Sequence, residues 1–245
     1  MKAVIFAGPT LPPDVRPSDP RLDWRPPVRQ GELYRAALER PAVIGIIDGY
    51  FESTPTVWHK EILWAMAHGI HVFGAASTGA LRAAELDAFG MRGVGRIYED
   101  FRDGVLEDDD EVAVLHGPAE LGYPPVSEAM VNIRTTLAAA ERDGVLPAPV
   151  AAALIRIAKT VFYKRRTYRA VLDDAAAAGL DAAALARLAA WLPSGRVDQK
   201  RGDALAMVDA VSVQLGAGTP LRVDYELADT AAWQAARRCV GEEPA

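Results

Sequence analysis

Ile70-His71-Val72-Phe73-Gly74-Ala75-Ala76-Ser77-Thr78-Gly79-Ala80-Leu81-Arg82 decides the fold. A β-rich apolar run closes on glycine, a turn of tiny residues follows, and helix composition begins at Ala80 and stops at Gly90. Strand, tight turn, helix is the repeating half of a parallel α/β sheet. The same signature lies upstream. Ala42-Val43-Ile44-Gly45-Ile46-Ile47-Asp48 is a run typical of a strand buried on both faces. Thr54-Pro55-Thr56 then signals a helix start, Val57 to His68 carries the helix, and Gly69 closes it. Ala3 to Ala7 is a further apolar run, ended by Gly8-Pro9, and Glu32 to Arg40 has helical composition up to Pro41. The Pro-, Asp- and Arg-rich stretch from Pro9 to Pro27 predicts a loop.

From Ser127 the pattern is helical and alanine-rich, with helices expected near 127–143, 148–160, 164–178, 181–192, 198–214 and 228–239. Asp181 and Asp198 stand where N-caps belong. The acidic run Glu107-Asp108-Asp109-Asp110-Glu111 predicts a solvated turn feeding a short strand at Val112 to Leu115. The expected class is therefore α/β: a mostly parallel sheet flanked by helices in the N-terminal half, with an Ala-rich helical C-terminal half. The expected organisation is a core over 1–120 and a helical region over 121–245 packed on it.

Composition narrows the function. The chain has 245 residues, half of them apolar and 24% charged, with a net charge of −6. That profile is globular, and an acidic chain is ill suited to nucleic acid, where Lys and Arg must neutralise phosphates. The first apolar run is too short for a signal peptide, and no segment approaches the roughly 20 apolar residues of a membrane helix. The single cysteine, Cys239, permits no internal disulfide and fits a reducing, cytoplasmic compartment. These features predict a cytoplasmic protein without nucleic-acid or membrane partners.

In a parallel sheet, ligands bind at the C-terminal ends of the strands. Three segments reach that rim: Gly8-Pro9-Thr10, Asp48-Gly49-Tyr50-Phe51 with Trp58-His59-Lys60, and Gly74 to Gly79. Ser77 is the sharpest feature. A serine at a strand-to-helix turn projects over the rim, and the helix N-terminus behind it offers N–H donors to an oxyanion. The arrangement partly matches a nucleophile elbow, with Gly79 in place and Ala75 where the first glycine stands. The plainer reading is that Ser77 caps its helix. Gly74 and Gly79 also have phosphate-loop spacing, but Ala80-Leu81 stands where Lys-Ser/Thr is needed, which rejects that loop. A serine needs a base. Lys60, as a neutral amine, and His59 are both within the helix that follows the second strand, about 100° apart around it, so at most one faces Ser77. Their plain readings are a surface lysine and a half-buried histidine. Arg82 and Glu85 predict an i, i+3 ion pair, with added positive field near Ser77 as the alternative. Lys159, Lys164, Arg165, Arg166 and Arg169 form a basic stretch with Phe162, Tyr163 and Tyr168: a charged helix face, or a docking patch for an acidic protein. Cys239 has no activating context and reads as a bland terminal cysteine rather than a persulfide carrier. Nothing in the sequence assigns a metal or a cofactor.

At these residues the chain resembles the TfuA family. The resemblance rests on Val4 to Leu11, Ile46 to Phe51, Val57-Trp58-His59-Lys60-Glu61-Ile62-Leu63, Val72 to Leu86, Phe89-Gly90-Met91, Gly93-Val94-Gly95, Asp109 to Ala113 and Val131-Asn132-Ile133-Arg134, and it is dense over residues 1–145. It implies a partner of YcaO enzymes in peptide backbone thioamidation. The implied activity is hydrolysis of a thiocarboxylated, ThiS-type ubiquitin-fold carrier to release sulfide, with assistance to binding of the peptide substrate. The catalytic pair it implies is Ser77 and Lys60, supported by His59, Asp48, Thr78, Gly79 and Arg82. The alternative is a non-catalytic adaptor of a YcaO enzyme; a phosphate-binding α/β module is the weaker third reading.

Overall fold

The computed structural model describes residues 1–50, 52 and 54–241. The three apolar runs become β1 (Ala3–Phe6), β3 (Val43–Ile46) and β4 (His71–Ala75), and they sit side by side at the centre of a sheet in which every pairing is parallel. Two strands that the sequence concealed complete it: β2 (Leu22–Arg25) inside the Pro-rich stretch and β5 (Arg92–Val94). The order is β2-β1-β3-β4-β5. Both hidden strands are edges. An edge strand has one neighbour and need not be apolar on both faces, so Leu-Asp-Trp-Arg and Arg-Gly-Val carry no run to detect. The strand expected at Val112 to Leu115 does not form; a 3₁₀ turn at Asp109–Glu111 leads instead into an irregular segment.

Alternating side chains of β1, β3 and β4 feed two cores. Val4, Phe6, Ile44, Ile46 and Val72 pack with Leu33, Ile62, Met66 and Ala83 from α1 (Glu32–Leu38), α2 (His59–Ala67) and α3 (Thr78–Leu86). Ala3, Ile5, Val43, Phe73 and Ala75 face the other way, onto Ala204, Met207, Val208 and Val211 of α9. The split follows from chirality. From β2 through β3 and β4 to β5 the chain advances in one direction, so right-handed crossovers place α1, α2 and α3 on one face. The step from β1 to β2 runs backwards, and its connection, with Leu11 and Val15, joins the opposite core. The sheet therefore reverses between β1 and β3. Of the remaining helices, α4 (Arg96–Arg102) follows β5, and α9 (Gln199–Ala217) returns to cover the second face. Gly45 makes room there, since a Cβ on it would lie 2.9 Å from the Met207 methyl. Asp203 on α9 accepts the Ile97 N–H at 2.8 Å, where α4 begins.

The helical region consequently does not run unbroken from residue 121. One unit comprises residues 1–107 together with the chain from 201 onward; the other is 108–200. The second unit holds α5 (Met130–Arg142), α6 (Ala148–Thr160), α7 (Tyr168–Ala177) and α8 (Ala182–Gly195), close to the expected spans. Asp181 caps α8 by accepting the Ala183 and Ala184 N–H groups. Met130, Ile133, Leu137, Leu154, Leu185 and Leu188 form its core. In the first unit, α10 (Ala231–Gly241) packs against α1. Among the described residues no helix is long and apolar enough to cross a membrane.

Two surface readings from sequence hold only in part in the second unit, where Lys164, Arg165 and Arg169 are exposed as read. Arg166 is fully buried, not part of a docking patch: Nε donates to the Ala158 and Val161 carbonyls, and the terminal nitrogens to the Asp110 carbonyl and, at 2.6 Å, to its carboxylate. The acidic run is a turn with Glu107, Asp108 and Asp109 exposed, as read, but its end is not solvated: Glu111 is buried. Lys159 bridges Asp108, Asp110 and Glu111, and Arg134 grips the buried Glu111 through two nitrogens at 2.8 and 2.9 Å. Lys159 and Arg166 of the basic stretch are thus partners of the acidic run. Burial pushes the Asp110 and Glu111 carboxyls up, but hydrogen bonds from Lys159 and from Arg166 or Arg134 outweigh it, and both end below the usual carboxylate range.

Arg166→Met keeps apolar volume but removes one of Asp110's two cationic partners, leaving Lys159. It should destabilise the protein by about 3 kcal/mol, the cost of breaking a buried pair from one side, read from urea unfolding. The pH dependence carries a sign. Lowered folded-state values mean stabilisation that is fully present above an unfolded carboxyl value of about 4 and is lost as pH falls through the folded values. Arg166→Met should flatten that acid-side loss; an unchanged acid limb would remove Asp110 from the account.

Candidate active site at the carboxyl edge of the sheet

Asp48 follows β3 at the reversal between β1 and β3, and it is 2% exposed. One carboxylate oxygen accepts the Gly8 and Thr10 N–H groups at 2.8 and 3.0 Å, and the other accepts the Thr10 hydroxyl at 2.6 Å. The loop after β1 thus wraps an internal anion at the place where sheets of this order bind ligands. Its carboxylate is committed to that loop, so Asp48 is a positioning residue for the rim. Gly8 is required because Pro27 lies 2.4 Å from where its Cβ would be.

Ser77 stands after β4 on a turn fixed by backbone contacts. A Cβ on Gly79 would lie 1.8 Å from the Ile46 carbonyl oxygen, and one on Gly74 would lie 2.1 Å from the Gly79 carbonyl oxygen. The spacing that imitates a phosphate loop therefore has a packing cause: main chain rests on main chain where α3 starts. Gly49 is likewise pressed against Thr78, whose Oγ1 would be 2.8 Å from a Cβ there. The turn reverses sharply at Ala76, a non-glycine residue at φ +66°, and the Ser77 N–H donates back to the Ala75 carbonyl at 2.7 Å. In this turn the left-handed residue is the alanine before the serine, while Ser77 itself has φ −126°.

The Ser77 carbonyl accepts the Ala80 N–H, but its hydroxyl makes no capping bond to α3. The plain cap role is thus carried by backbone alone. Ser77 is 8% exposed. Gly79, one of the supporting residues, gives its N–H to the Ile47 carbonyl at 3.3 Å. Among the described residues this leaves the Thr78 N–H as the first-turn donor not committed to a protein carbonyl.

The two base candidates diverge as their spacing on α2 requires. His59 Nε2 lies 2.8 Å from Glu85 on α3, and Arg82 holds the same Glu85 oxygen at 2.6 Å while its Nε donates to the Val57 carbonyl. The expected Arg82–Glu85 pair is present. Lys60 turns the other way: its amine donates to the Ala228 carbonyl at 2.6 Å and to the Thr230 hydroxyl at 3.2 Å. No hydrogen bond joins Lys60 to Ser77 in this arrangement, and His59 is likewise engaged elsewhere. Phe51, part of the expected rim, lies outside the described residues.

A cavity of about 700 Å³, not anticipated from the sequence, lies between α1, the start of α2 and α10. Tyr34, Trp58, Trp233 and Cys239 line it, and Ser77 and Lys60 do not. Glu61 forms part of its wall. Burial pushes that carboxyl up, against the N–H groups of Gly31, Trp58 and Tyr34 that it accepts at 2.9, 3.0 and 3.1 Å. The signal available was a glutamate three residues after a helix-start position, which is half of a capping box.

Gly79→Ala should be among the most damaging single-methyl additions in the chain, because the obstructing atom is backbone. A loss of folded yield, or a drop in thermal midpoint of several degrees, is expected in a melting experiment. A neutral outcome would mean that α3 does not rest on β3.

No curated protein matches this chain. The family model described as TfuA-like protein matches residues 48–167. The match starts at Asp48, later than the resemblance read over 1–145, and takes in His59, Lys60, Ser77, Thr78, Gly79 and Arg82. Membership in that family suggests a role alongside YcaO in thioamidation. The segment that carries the Asp48 clamp, the Ser77 turn and the buried Arg166 cluster thereby identifies the chain as a TfuA-like protein.

Proposed function

We propose that this chain releases sulfide for YcaO-dependent thioamidation by hydrolysing the C-terminal thiocarboxylate of a ThiS-type carrier, with Ser77 as nucleophile and Lys60 as base. The observation that carries the reading is the Ser77 turn: a serine at the carboxyl edge of β4, set by backbone contacts at the N-terminus of α3. Ser77 Oγ attacks the thiocarboxylate carbon as its proton passes to the neutral Lys60 amine. The tetrahedral oxyanion faces the Thr78 N–H at the α3 N-terminus. Collapse breaks the C–S bond and expels the sulfur, which leaves as hydrosulfide with the proton Lys60 carries, so that an acyl-serine remains. Water, deprotonated by the same amine, then frees the carrier as a carboxylate and restores Ser77. The peptide substrate and the YcaO protein are the further partners in this reading.

The adaptor reading is favoured by one observation, the engagement of Lys60 with Ala228 and Thr230. An adaptor would bind YcaO and peptide without releasing sulfide.

Ser77→Ala separates the two. Alanine precedes Ser77 twice, and no capping bond is lost, so the fold should persist with a stability change of about 1 kcal/mol or less. Sulfide release from thiocarboxylated carrier should fall at least about a thousandfold, as for loss of a hydrolase nucleophile, while partner binding stays. A folded variant that releases sulfide at the wild-type rate would end the hydrolase reading. Lys60→Ala should abolish release and His59→Ala should retain much of it; the reverse pattern would transfer the base role to His59.

A further inference from the structure

After α9 the chain runs from Gly218 to Thr230 without helix or strand and is strapped along α2 in the opposite direction. The Leu221 N–H donates to the Gly69 carbonyl at 3.0 Å, the Tyr225 hydroxyl to the Leu63 carbonyl at 2.7 Å, and Ala228 and Thr230 receive the Lys60 amine. The contacts step back along α2 from its end to its first turn. Beyond them, α10 is anchored by Trp233, which is 2% exposed and packs edge-on against Tyr34 with ring centres 5.2 Å apart. Behind that anchor α10 does not fill the space: the 700 Å³ cavity lies between it and α1. An element held by one buried aromatic beside unfilled volume, on a connection lacking sheet or helix bonds, belongs to the part of a structure that opens first.

We propose that residues 218–241 are an autoinhibitory strap. Closed, the strap spends the Lys60 amine on its own main chain and hydroxyl. Opening from the α10 end removes Ala228 and Thr230 and frees the amine to turn toward Ser77. The inference rests on the reading of Lys60 as the base. Its physical content is separable, because the strap either guards the amine or does not.

The experiment uses the full chain. Reductive methylation followed by mass spectrometry gives the reactivity of Lys60 relative to the exposed Lys164. A spin label on Cys239, the single cysteine, reports α10. In the wild type Lys60 should react slowly. Trp233→Ala should mobilise the label and raise Lys60 reactivity by about tenfold or more, the change expected from deleting a large buried aromatic. Ser77-dependent sulfide release should rise with it. Thr230→Val with Tyr225→Phe removes only strap hydrogen bonds and should give the same direction if Trp233→Ala fails to fold. The proposal is overturned if wild-type Lys60 reacts as fast as Lys164. It is also overturned if the label stays immobile in Trp233→Ala, or if a mobilised strap leaves Lys60 reactivity or Ser77-dependent release unchanged. Absence of Ser77-dependent release in every variant condemns the hydrolase reading instead, and Lys60 reactivity then still decides whether the strap guards the amine.

Discussion

The first turn of α3 lies on the main chain of β3 and β4, with Gly79 against the Ile46 carbonyl and Gly74 against the Gly79 carbonyl. No side chain separates the layers there, so the helix cannot slide or tilt without a backbone collision. That contact forces the sharp turn at Ala76 and brings Thr78 against Gly49. Through Gly49 it meets Asp48, which in turn organises the loop after β1. Three strand ends that are far apart in sequence are thereby fixed relative to one another by hydrogen bonds and van der Waals contact rather than by apolar packing. A rim built this way is rigid at the serine and leaves adjustment to the long side chains around it.

Much of this was legible in the sequence because buried parallel strands and their helices leave unmistakable apolar runs. β1, β3, β4 and α2 fall close to where those runs place them. β2 and β5 were illegible for the opposite reason: strands at the edges are held by neighbours, not by their own composition. At the site, Ser77 and the glycines were visible as a strand-to-helix turn, but the cause of the glycine spacing was not. Spacing alone cannot say whether a missing Cβ makes room for a phosphate or for a carbonyl. Lys60 and His59 were visible as reactive types on one helix turn; their partners were not, because Glu85 and Thr230 come from elsewhere in the chain. The same blindness to distant partners hid that Arg166 and Glu111, inside two charged runs that read as solvated, are buried.

α2 touches α3 through His59 and the strap through Lys60. Its inner face, Ile62 and Met66, is core, while Lys60 on its first turn carries the end of the chain. One short helix thus links the rim to the strap. His59, one residue away, is tied through Glu85 to α3, so neighbouring side chains belong to a fixed and a releasable partner.

The return of α9 to the sheet has a consequence for how the chain is made. Met207, Val208 and Val211 cover a face whose strands are complete by residue 94, yet the whole of the 108–200 unit is synthesised in between. Until α9 emerges, Ile5, Val43 and Phe73 present an apolar surface to water, and the loop that must close to cover them contains an entire second core. The intervening unit is continuous in sequence and can collapse on its own while the sheet waits. During synthesis the half-covered sheet, not the helical unit, is then the stage most exposed to aggregation and most dependent on chaperones.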